Sequence, residues 1–541
     1  MSDELTQELD VAIVGAGISG VYAGWKLKQL HRNLKITVFE ASDRVGGRLL
    51  SVVPPGIPNM VAELGGMRFL PAVQPRIKAL IDTLNQNAKP EELIETYDFP
   101  VDQKQNIAYL RGTHLRLEDF EKRPRKVPYK LSFLESGRAP GAILVNAIEQ
   151  IVPGITAPGL TEQQRRLMTQ NAEFAGEKLY KQGFWQVLAR VISGEAYQLA
   201  IDAGGYQSTL NNWNAADAIP WYLADFGVDP VYQGFRRGFQ QVPLAVAERF
   251  KMLGGEIKTQ TNVVSFEVET DKSVLLHAEH KPEHAKDKQQ QTVRAKVLIL
   301  AMPRRALDLL RARTSFLQQD PVTRLIHSVT PQPLFKLFTT YKDPWWLPAG
   351  VEAGRTTTDL PVRQTYYWPK NDGTSVTGGR AMLMASYDDG LNIGFWDGLR
   401  NKRSETTGVP PKDPFIGFKE RMGEGGQVDK EWSDRAPPKA MVEEVQRQLM
   451  LIHGLGFIPN AVEASYMDWG ADPHGGGWNS WNIGVNSFEV KRDIIQPVSE
   501  KPVYICGEAY SHAQGWVEGA LETADLMLEK LEKLPLCTSA R

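Results

Sequence analysis

The first residues along the chain with a readable chemistry are three glycines. Gly15, Gly17 and Gly20 stand in Gly-x-Gly-x-x-Gly spacing directly after the apolar run Leu9 to Val14. In such a turn the first glycine permits the sharp bend. The second lets backbone approach a pyrophosphate, and the third lets a helix pack closely on a sheet. The N-terminus of the helix that follows offers N–H groups and partial positive charge to phosphates. Glu40 follows at the roughly 20-residue distance of an acid that bonds a ribose hydroxyl, and an acid there repels a 2′-phosphate. The chemistry predicted is binding of a dinucleotide other than NADP.

Four further groups stand out by type and setting. Glu40-Ala41-Ser42-Asp43-Arg44-Val45-Gly46-Gly47-Arg48 adds a second glycine pair and a guanidinium, Arg48, that can reach the same pyrophosphate from its other side. Arg68 follows Gly65-Gly66-Met67; its planar fork matches a carboxylate, and the glycines let backbone lie close to a flat group. Lys336, in Leu334-Phe335-Lys336-Leu337-Phe338, shares a strand face with Leu334 and Phe338. A lysine there either has a buried partner or snorkels outward from an edge strand. Tyr366 and Tyr367 are strand neighbours, so only one of them can easily face a site. The nine histidines make no HExxH array, and no Ser-His-Asp or Cys-His arrangement is visible, so no metal and no protein nucleophile are expected. His512, near Glu508, is at most a supporting polar residue.

The elements that position these groups read as follows. Leu9–Val14, a helix with Val21, Ala23, Leu27 and Leu30 at helical spacing, and Ile36–Phe39 make a strand–helix–strand unit. Val297–Ala301 is a further strand. Val503–Cys506 leads through Gly507-Glu508 into a helix expected over about 516–533. One sheet is therefore assembled from the start, middle and end of the chain. Residues 116–232 read as helix-rich, with helical stretches over 142–151 and 163–199. Residues 321–455 carry strand-like runs, 334–341 and 364–368, then a polar stretch over 400–438. Residues 279–291 read as an exposed hairpin tip or loop.

Composition excludes whole classes. Lys+Arg total 62 against 64 Asp+Glu in 541 residues, a net charge of −2, so no basic footprint for nucleic acid or an anionic membrane exists. With 42% hydrophobic and 23% charged residues the chain is of globular type. Cys506 and Cys537 cannot build a disulfide framework, and Cys506 reads as a small core residue. The polar, acidic first ten residues lack the pattern of a signal peptide, and apolar runs such as 297–302 are far shorter than a membrane span. A soluble, cytoplasmic protein of several lobes is expected.

Residues 40–48, together with Gly507-Glu508-Ala509-Tyr510 and Gln514-Gly515-Trp516-Val517-Glu518-Gly519-Ala520, resemble the FAD segments of the flavin amine oxidase family. That family includes monoamine, polyamine and L-amino-acid oxidases, and the matching blocks occur in its order across nearly the whole chain. The resemblance implies an α/β fold, with a discontinuous Rossmann-like FAD-binding domain over 1–72, 236–320 and 456–541. It further implies a mixed α+β substrate-binding domain over 73–115 and 321–455 and a helical domain over 116–235. It places Gly15, Gly17, Gly20, Glu40, Ala41, Gly47, Arg48, Gly65, Gly66, Met67, Arg68, Val263, Glu508, Gly515, Trp516 and Val517 on the cofactor. Glu508 would bond the ribityl chain, and the backbone of Val263 would hold adenine. Monoamine oxidases tether flavin through a Cys in Gly-Gly-Cys-Tyr; here Gly477 stands in that place within Gly475-Gly476-Gly477-Trp478, which implies non-covalent FAD.

On the substrate side the Gly-x-Met-Arg segment is similar to that of L-amino-acid oxidases, which makes Arg68 the carboxylate anchor, with the Tyr367 hydroxyl beside it and Tyr366 in the core. Trp478 and Trp516 would flank the amine, and the Gly515 carbonyl would accept from it. Trp213, Trp221 and Trp481 are further candidates for the side-chain pocket. Lys336 would sit beneath flavin N5, hold a water and assist the reaction with oxygen. The activity implied is oxidative deamination of an L-amino acid by hydride transfer to FAD, with molecular oxygen as second substrate and 2-oxo acid, ammonia and hydrogen peroxide as products. An amine or polyamine oxidase would share all but the use of Arg68. An L-amino-acid 2-monooxygenase shares even Arg68, and a flavin-binding protein without activity would need neither Arg68 nor Lys336. No nucleic-acid or membrane partner is expected, and the resemblance implies a homodimer or larger homo-oligomer.

Overall fold

The structure, a computed structural model, describes residues 5–211, 213–226, 230–281, 287–400, 430–471 and 475–532. The fold is mixed α/β, organised around two seven-stranded sheets. In the first, Leu5–Val14 lies parallel to Ile36–Phe39 on one side and to Gln289–Ala301 on the other. Val11, Ala12, Ile13 and Val14 are buried, and so are Ile36 to Phe39. A parallel strand covered on both faces needs such an unbroken apolar run. Between them Ile18–Leu30 forms the connecting helix; it starts with no side-chain cap and packs on the helix Gln241–Met252.

Gln289–Ala301 is the longest strand of the chain's described part, 13 residues. Its first half pairs antiparallel with Val274–His280, and its last four residues pair parallel with Val503–Cys506. Glu256–Lys258 and Thr261–Val268 complete this sheet. Of the polar run read as an exposed hairpin tip or loop over 279–291, both ends are ladder of an antiparallel pair: His280 pairs with Gln289 and Glu279 with Gln290. Cross-strand backbone bonds hold there without an apolar face to announce them. The helix expected over 516–533 runs Val517–Leu531.

The second sheet runs Glu463–Asp468, Phe335–Tyr341, Ala381–Asp388, Gln364–Tyr367, Gly354–Thr358, Ile107–Leu110 and Thr113–Arg116. All seven residues of Phe335–Tyr341 are buried, so Lys336 is on an interior strand, not an edge. Glu463–Asp468 belongs to this sheet, although it lies after the boundary expected at 456.

Between residues 116 and 232 helices dominate, including Pro140–Ile151, Gly194–Gly204 and Ala215–Phe226. The stretch 163–199 is not continuously helical. After Glu162–Asn171 it turns through a hairpin, Glu173–Phe174 against Glu177–Lys178, where Ala175 and Gly176 take positive φ. Most of the polar stretch 400–438, and Cys537, lie outside the described residues. No described helix is long and apolar enough to cross a membrane.

Candidate active site

A single cavity of about 980 Å³ runs between the two sheets and the helical region. It can be followed through its contacts. Beside Val263, the N–H of Thr261 donates to the Glu40 carbonyl. The Glu40 carboxylate accepts from the Ala16 N–H (2.8 Å) and from the Ser42 N–H and hydroxyl (2.9 and 2.7 Å). Gly17 meets Gly46 in an isolated bridge, which brings both glycine turns to one wall. Arg48 donates to the Gly477 carbonyl (3.1 Å) and to Glu508 (2.8 Å). Glu508 also accepts from the Asn479 and Gly515 N–H groups at 2.9 and 2.7 Å.

The glycines are required by space. Gly15 has φ +106°, and a Cβ there would stand 2.5 Å from the Ala301 carbonyl oxygen. A Cβ on Gly20 would be 2.0 Å from the Gly15 oxygen, so Gly20 serves the packing of helix on strand and does not itself line the cavity. A Cβ on Gly65 would be 2.2 Å from the Arg48 oxygen, where the two segments cross. Gly477 carries no thiol, and a Cβ on it would be 2.3 Å from that of Leu334. Cys506 is buried in its strand and does not line the cavity; burial pushes its thiol up to about 12.

Arg68 projects into the same cavity. The chain around it is pinned on both sides: the Gly66 N–H donates to the Arg48 carbonyl, and Phe69 exchanges two backbone bonds with Gln233. Arg68 is 5% exposed. Its guanidinium lies 4.0 Å from the ring centre of Tyr232, and Nη1 donates to the Tyr366 hydroxyl at 3.2 Å. Burial opposes its charge, but the facing groups, Tyr366 foremost, then Tyr206, Tyr232 and Asp225, hold its pKa above the usual value. No carboxylate among the described residues comes within ion-pair distance of it. A buried cation of that kind is open to an anion.

Lys336 is 1% exposed, and its Nζ donates to the carbonyls of Glu63 (3.1 Å) and Gly65 (2.5 Å). Tyr387, directly opposite on the neighbouring strand, places its ring centre 4.9 Å from Nζ. Burial lowers the Lys336 pKa; Glu63 opposes the shift and Arg68 adds to it.

An aromatic wall closes this end. Trp478 stacks on Trp221 at 6.1 Å and 13°, and Trp213 meets both edge-on at 5.1 Å. Trp516 lines the cavity beside them. The Gly515 carbonyl accepts no hydrogen bond from the described residues. Trp213 stands behind the wall, and Trp481 bonds the Ser511 carbonyl away from the cavity.

Tyr367 is not at the site. Its hydroxyl is 2.7 Å from that of Thr356 and 2.8 Å from His453 Nε2, on the face turned from Arg68. Tyr366, expected in the core, is the tyrosine that reaches Arg68, standing behind the guanidinium. Alternation within Gln364–Tyr367 is regular, since the extra residue of the register shift lies on Ala381–Asp388, and it sets Tyr366 with Gln364 on the Arg68 face and Tyr367 on the other. Lining residues that the sequence did not single out are Tyr206, Thr209, Asp225, Tyr387 and Asp389. Only Tyr387 carried a signal, as the cross-strand partner of Lys336. Burial pushes the Asp225 carboxyl up, against the pull of Arg68, and its Oδ1 accepts from Tyr232 at 2.7 Å. No group of three metal-ligating side chains occurs among the described residues.

A family model described as flavin containing amine oxidoreductase matches residues 18–405. The chain belongs to this family. Among its relatives, aplysianin-A of Aplysia kurodai is 26% identical over 545 residues, covering 97% of this chain and 91% of that one. The L-amino-acid oxidase of Mus musculus is 22% identical over 532 residues, covering 95% and 69%. A solved structure of a putrescine oxidase with redesigned cofactor binding superposes with a TM-score of 0.65 at 18% identity, covering 98% of this chain and 100% of that one.

As a flavin amine oxidoreductase the chain uses FAD, and the cavity suits it. The glycine cradle of Gly15, Gly17, Gly46 and Gly47 leaves room for a pyrophosphate at a helix start with no side chain in the way. Glu40, Arg48, Glu508 and Lys336 line the same cavity. No thiol on the cavity wall offers a covalent attachment among the described residues.

Proposed function

We propose that this flavin amine oxidoreductase is an L-amino-acid oxidase, which converts an L-amino acid, water and oxygen into a 2-oxo acid, ammonia and hydrogen peroxide. The observation that carries the reading is Arg68, a buried guanidinium on the cavity wall, stacked on Tyr232 and with no carboxylate among the described residues within ion-pair distance. An amine substrate leaves such a charge unmatched, whereas an α-carboxylate pairs with it bidentately. Bound FAD supplies the hydride acceptor and passes the electrons on to oxygen.

Each remaining task falls to a group of this chain. Tyr232 and Tyr366 hold Arg68 in place, so the carboxylate fixes the substrate at one end. The Gly515 carbonyl, on the cavity wall, accepts an N–H from the amine in this reading. Trp478, Trp516 and Trp221 exclude water around it, and a dry apolar wall favours the neutral amine that oxidation requires. Lys336, fixed on the Gly65 carbonyl, keeps an amine or ammonium at the cofactor-facing strand for the step with oxygen.

The test is Arg68→Ala in FAD-loaded protein. Truncating one partner of a buried charge pair costs about 2–5 kcal/mol, so kcat/KM for L-amino acids should fall by about 30- to several-thousand-fold. The corresponding decarboxylated amines should change far less. Unchanged amino-acid kinetics would refute the reading, and so would a wild-type preference for amines over their parent amino acids. Amide as the product, in place of 2-oxo acid, would make the enzyme a monooxygenase.

A further inference from the structure

Glu63 lies outside the cavity, yet it is bound up with Lys336. It is 4% exposed, its Oε1 accepts from the Phe239 N–H (2.7 Å), and its Oε2 accepts from the Ser51 hydroxyl (2.6 Å). Both oxygens thus accept from donors other than Lys336. The lysine touches Glu63 only at its backbone, donating to the Glu63 and Gly65 carbonyls. Its position is therefore set by main chain, and the Glu63 carboxyl can act on it only through charge.

That influence is one of few. Among the groups bearing on Lys336, Arg68 on the same loop opposes a charge on the lysine, and Glu63 favours it. Tyr387 faces Lys336 from Ala381–Asp388, and Met467 stands opposite on the other neighbouring strand. Tyr97 faces Glu63 from Thr96–Asp98. Burial raises both tyrosines above their usual values, so they stay neutral near pH 7. Lys336 in turn is the cation that bears on Glu63, whose pKa burial raises while Lys336 pulls it down.

We propose that Glu63 is a positioning residue that works through Lys336: its buried carboxyl decides how much of the time Lys336 is positively charged beside the flavin-facing backbone of Gly65. Lys336 Nζ bonds the carbonyl of the residue that carries this carboxyl, and two opposite charges on such neighbouring buried groups favour each other, while either alone is driven neutral. Losing the carboxylate leaves Lys336 opposed by both burial and Arg68. The proposal rests on the reading that Lys336 serves the reaction with oxygen.

The test reduces the FAD-loaded protein photochemically and follows its reoxidation by oxygen across pH, which makes the result independent of which amino acid or amine is the substrate. Glu63→Gln keeps an acceptor for Phe239 and a partner for Ser51. It should move the midpoint of the rate–pH profile to lower pH by about one unit or more, the usual effect of a nearby charge. The potential of the bound flavin should fall as well, because a positive charge near it is lost; packing defects alone do not dictate that sign. Glu63→Asp restores the charge and should return the profile toward wild type. Ser51→Ala, which removes one bond to the carboxylate outside the cavity, should shift the profile in the same direction by less. It also keeps the question answerable if Glu63→Gln folds poorly. A Glu63→Gln profile and potential that coincide with wild type overturn the proposal. A Lys336→Met protein that reoxidises like wild type at every pH overturns it too, along with the role of Lys336. A wild-type protein that reoxidises in this way but oxidises no L-amino acid would refute the substrate reading alone.

Discussion

The cofactor half and the substrate half of the cavity are built on different principles. The first is made of backbone: glycines that leave space, a helix start, and two carboxylates, Glu40 and Glu508, whose oxygens are taken up by neighbouring N–H groups. The second is made of side chains brought from far apart in the chain, Arg68, Tyr206, Trp221, Tyr387 and Trp478. Backbone recognition is local, since a tight turn and its neighbours recur as a short pattern wherever the turn recurs. A side-chain wall depends on sheet register and helix packing, which no short pattern records.

The sharpest way to break this contrast is to put one methyl group into the backbone half. In Gly65→Ala the new Cβ would meet the Arg48 oxygen and the Leu50 nitrogen, 2.2 and 2.8 Å away, and both are main chain. Overpacking of this order costs about 1–3 kcal/mol, so flavin retention measured by equilibrium dialysis should weaken about 10- to 100-fold. An unchanged affinity would show that the cradle is not tight. On the side-chain half, two neighbours should separate cleanly. Tyr366→Phe removes the bond to Arg68 and should raise KM for an amino acid several-fold, about 1 kcal/mol, with kcat nearly intact. Tyr367→Phe should leave both parameters within about twofold and lower thermal stability instead, because His453 and Thr356 lose a buried partner. Equal kinetic effects would mean that strand alternation does not separate the two tyrosines.

The smallest effect expected is on stability, at Asp388. Its carboxyl is pushed up to about 7, first by burial and then by Asp389; Oδ1 accepts from two N–H groups and Oδ2 has no partner. A raised carboxyl pKa means the folded protein holds the proton longer than the unfolded chain. The stability this gives is complete below about pH 4 and lost as pH rises toward 7. Asp388→Asn should therefore melt a few degrees higher than wild type at pH 8 in a calorimetric scan, with the gain shrinking at pH 5. A gain of the same size at both pH values would contradict that origin.

The same contrast explains what could be read in advance. Val503–Cys506 shows its full extent as an unbroken apolar run, and Ile36–Phe39 does so with Thr37 as its one polar residue, since both are covered on two faces. The extension of Val274–His280 onto Gln289 is polar on both sides and gives no such sign. The hairpin at Glu173–Lys178 hides inside residues that would suit a helix equally well. At the site, Arg68 and Lys336 are legible because their types are out of place in their surroundings. Alternation says that Tyr366 and Tyr367 face opposite ways but not which of them meets Arg68, which depends on how the strand lies against the cavity, and Asp225 and Asp389 depend on how a distant helix and a strand end meet it.

The pairing of Gln289–Ala301 with both Leu5–Val14 and Val503–Cys506 has a consequence for how the protein is made. A ribosome delivers the first of these strands early and the last after some 500 residues, and only with it come Glu508, Gly515 and Trp516. On a nascent chain the glycine turn can form while the cavity still lacks one wall, with an open sheet edge along Leu298 to Ala301. Vectorial synthesis thus leaves the cofactor without a finished berth until Val503–Cys506 and the residues that follow it have emerged, and capture of FAD becomes an event later than the folding of the first strand–helix–strand unit.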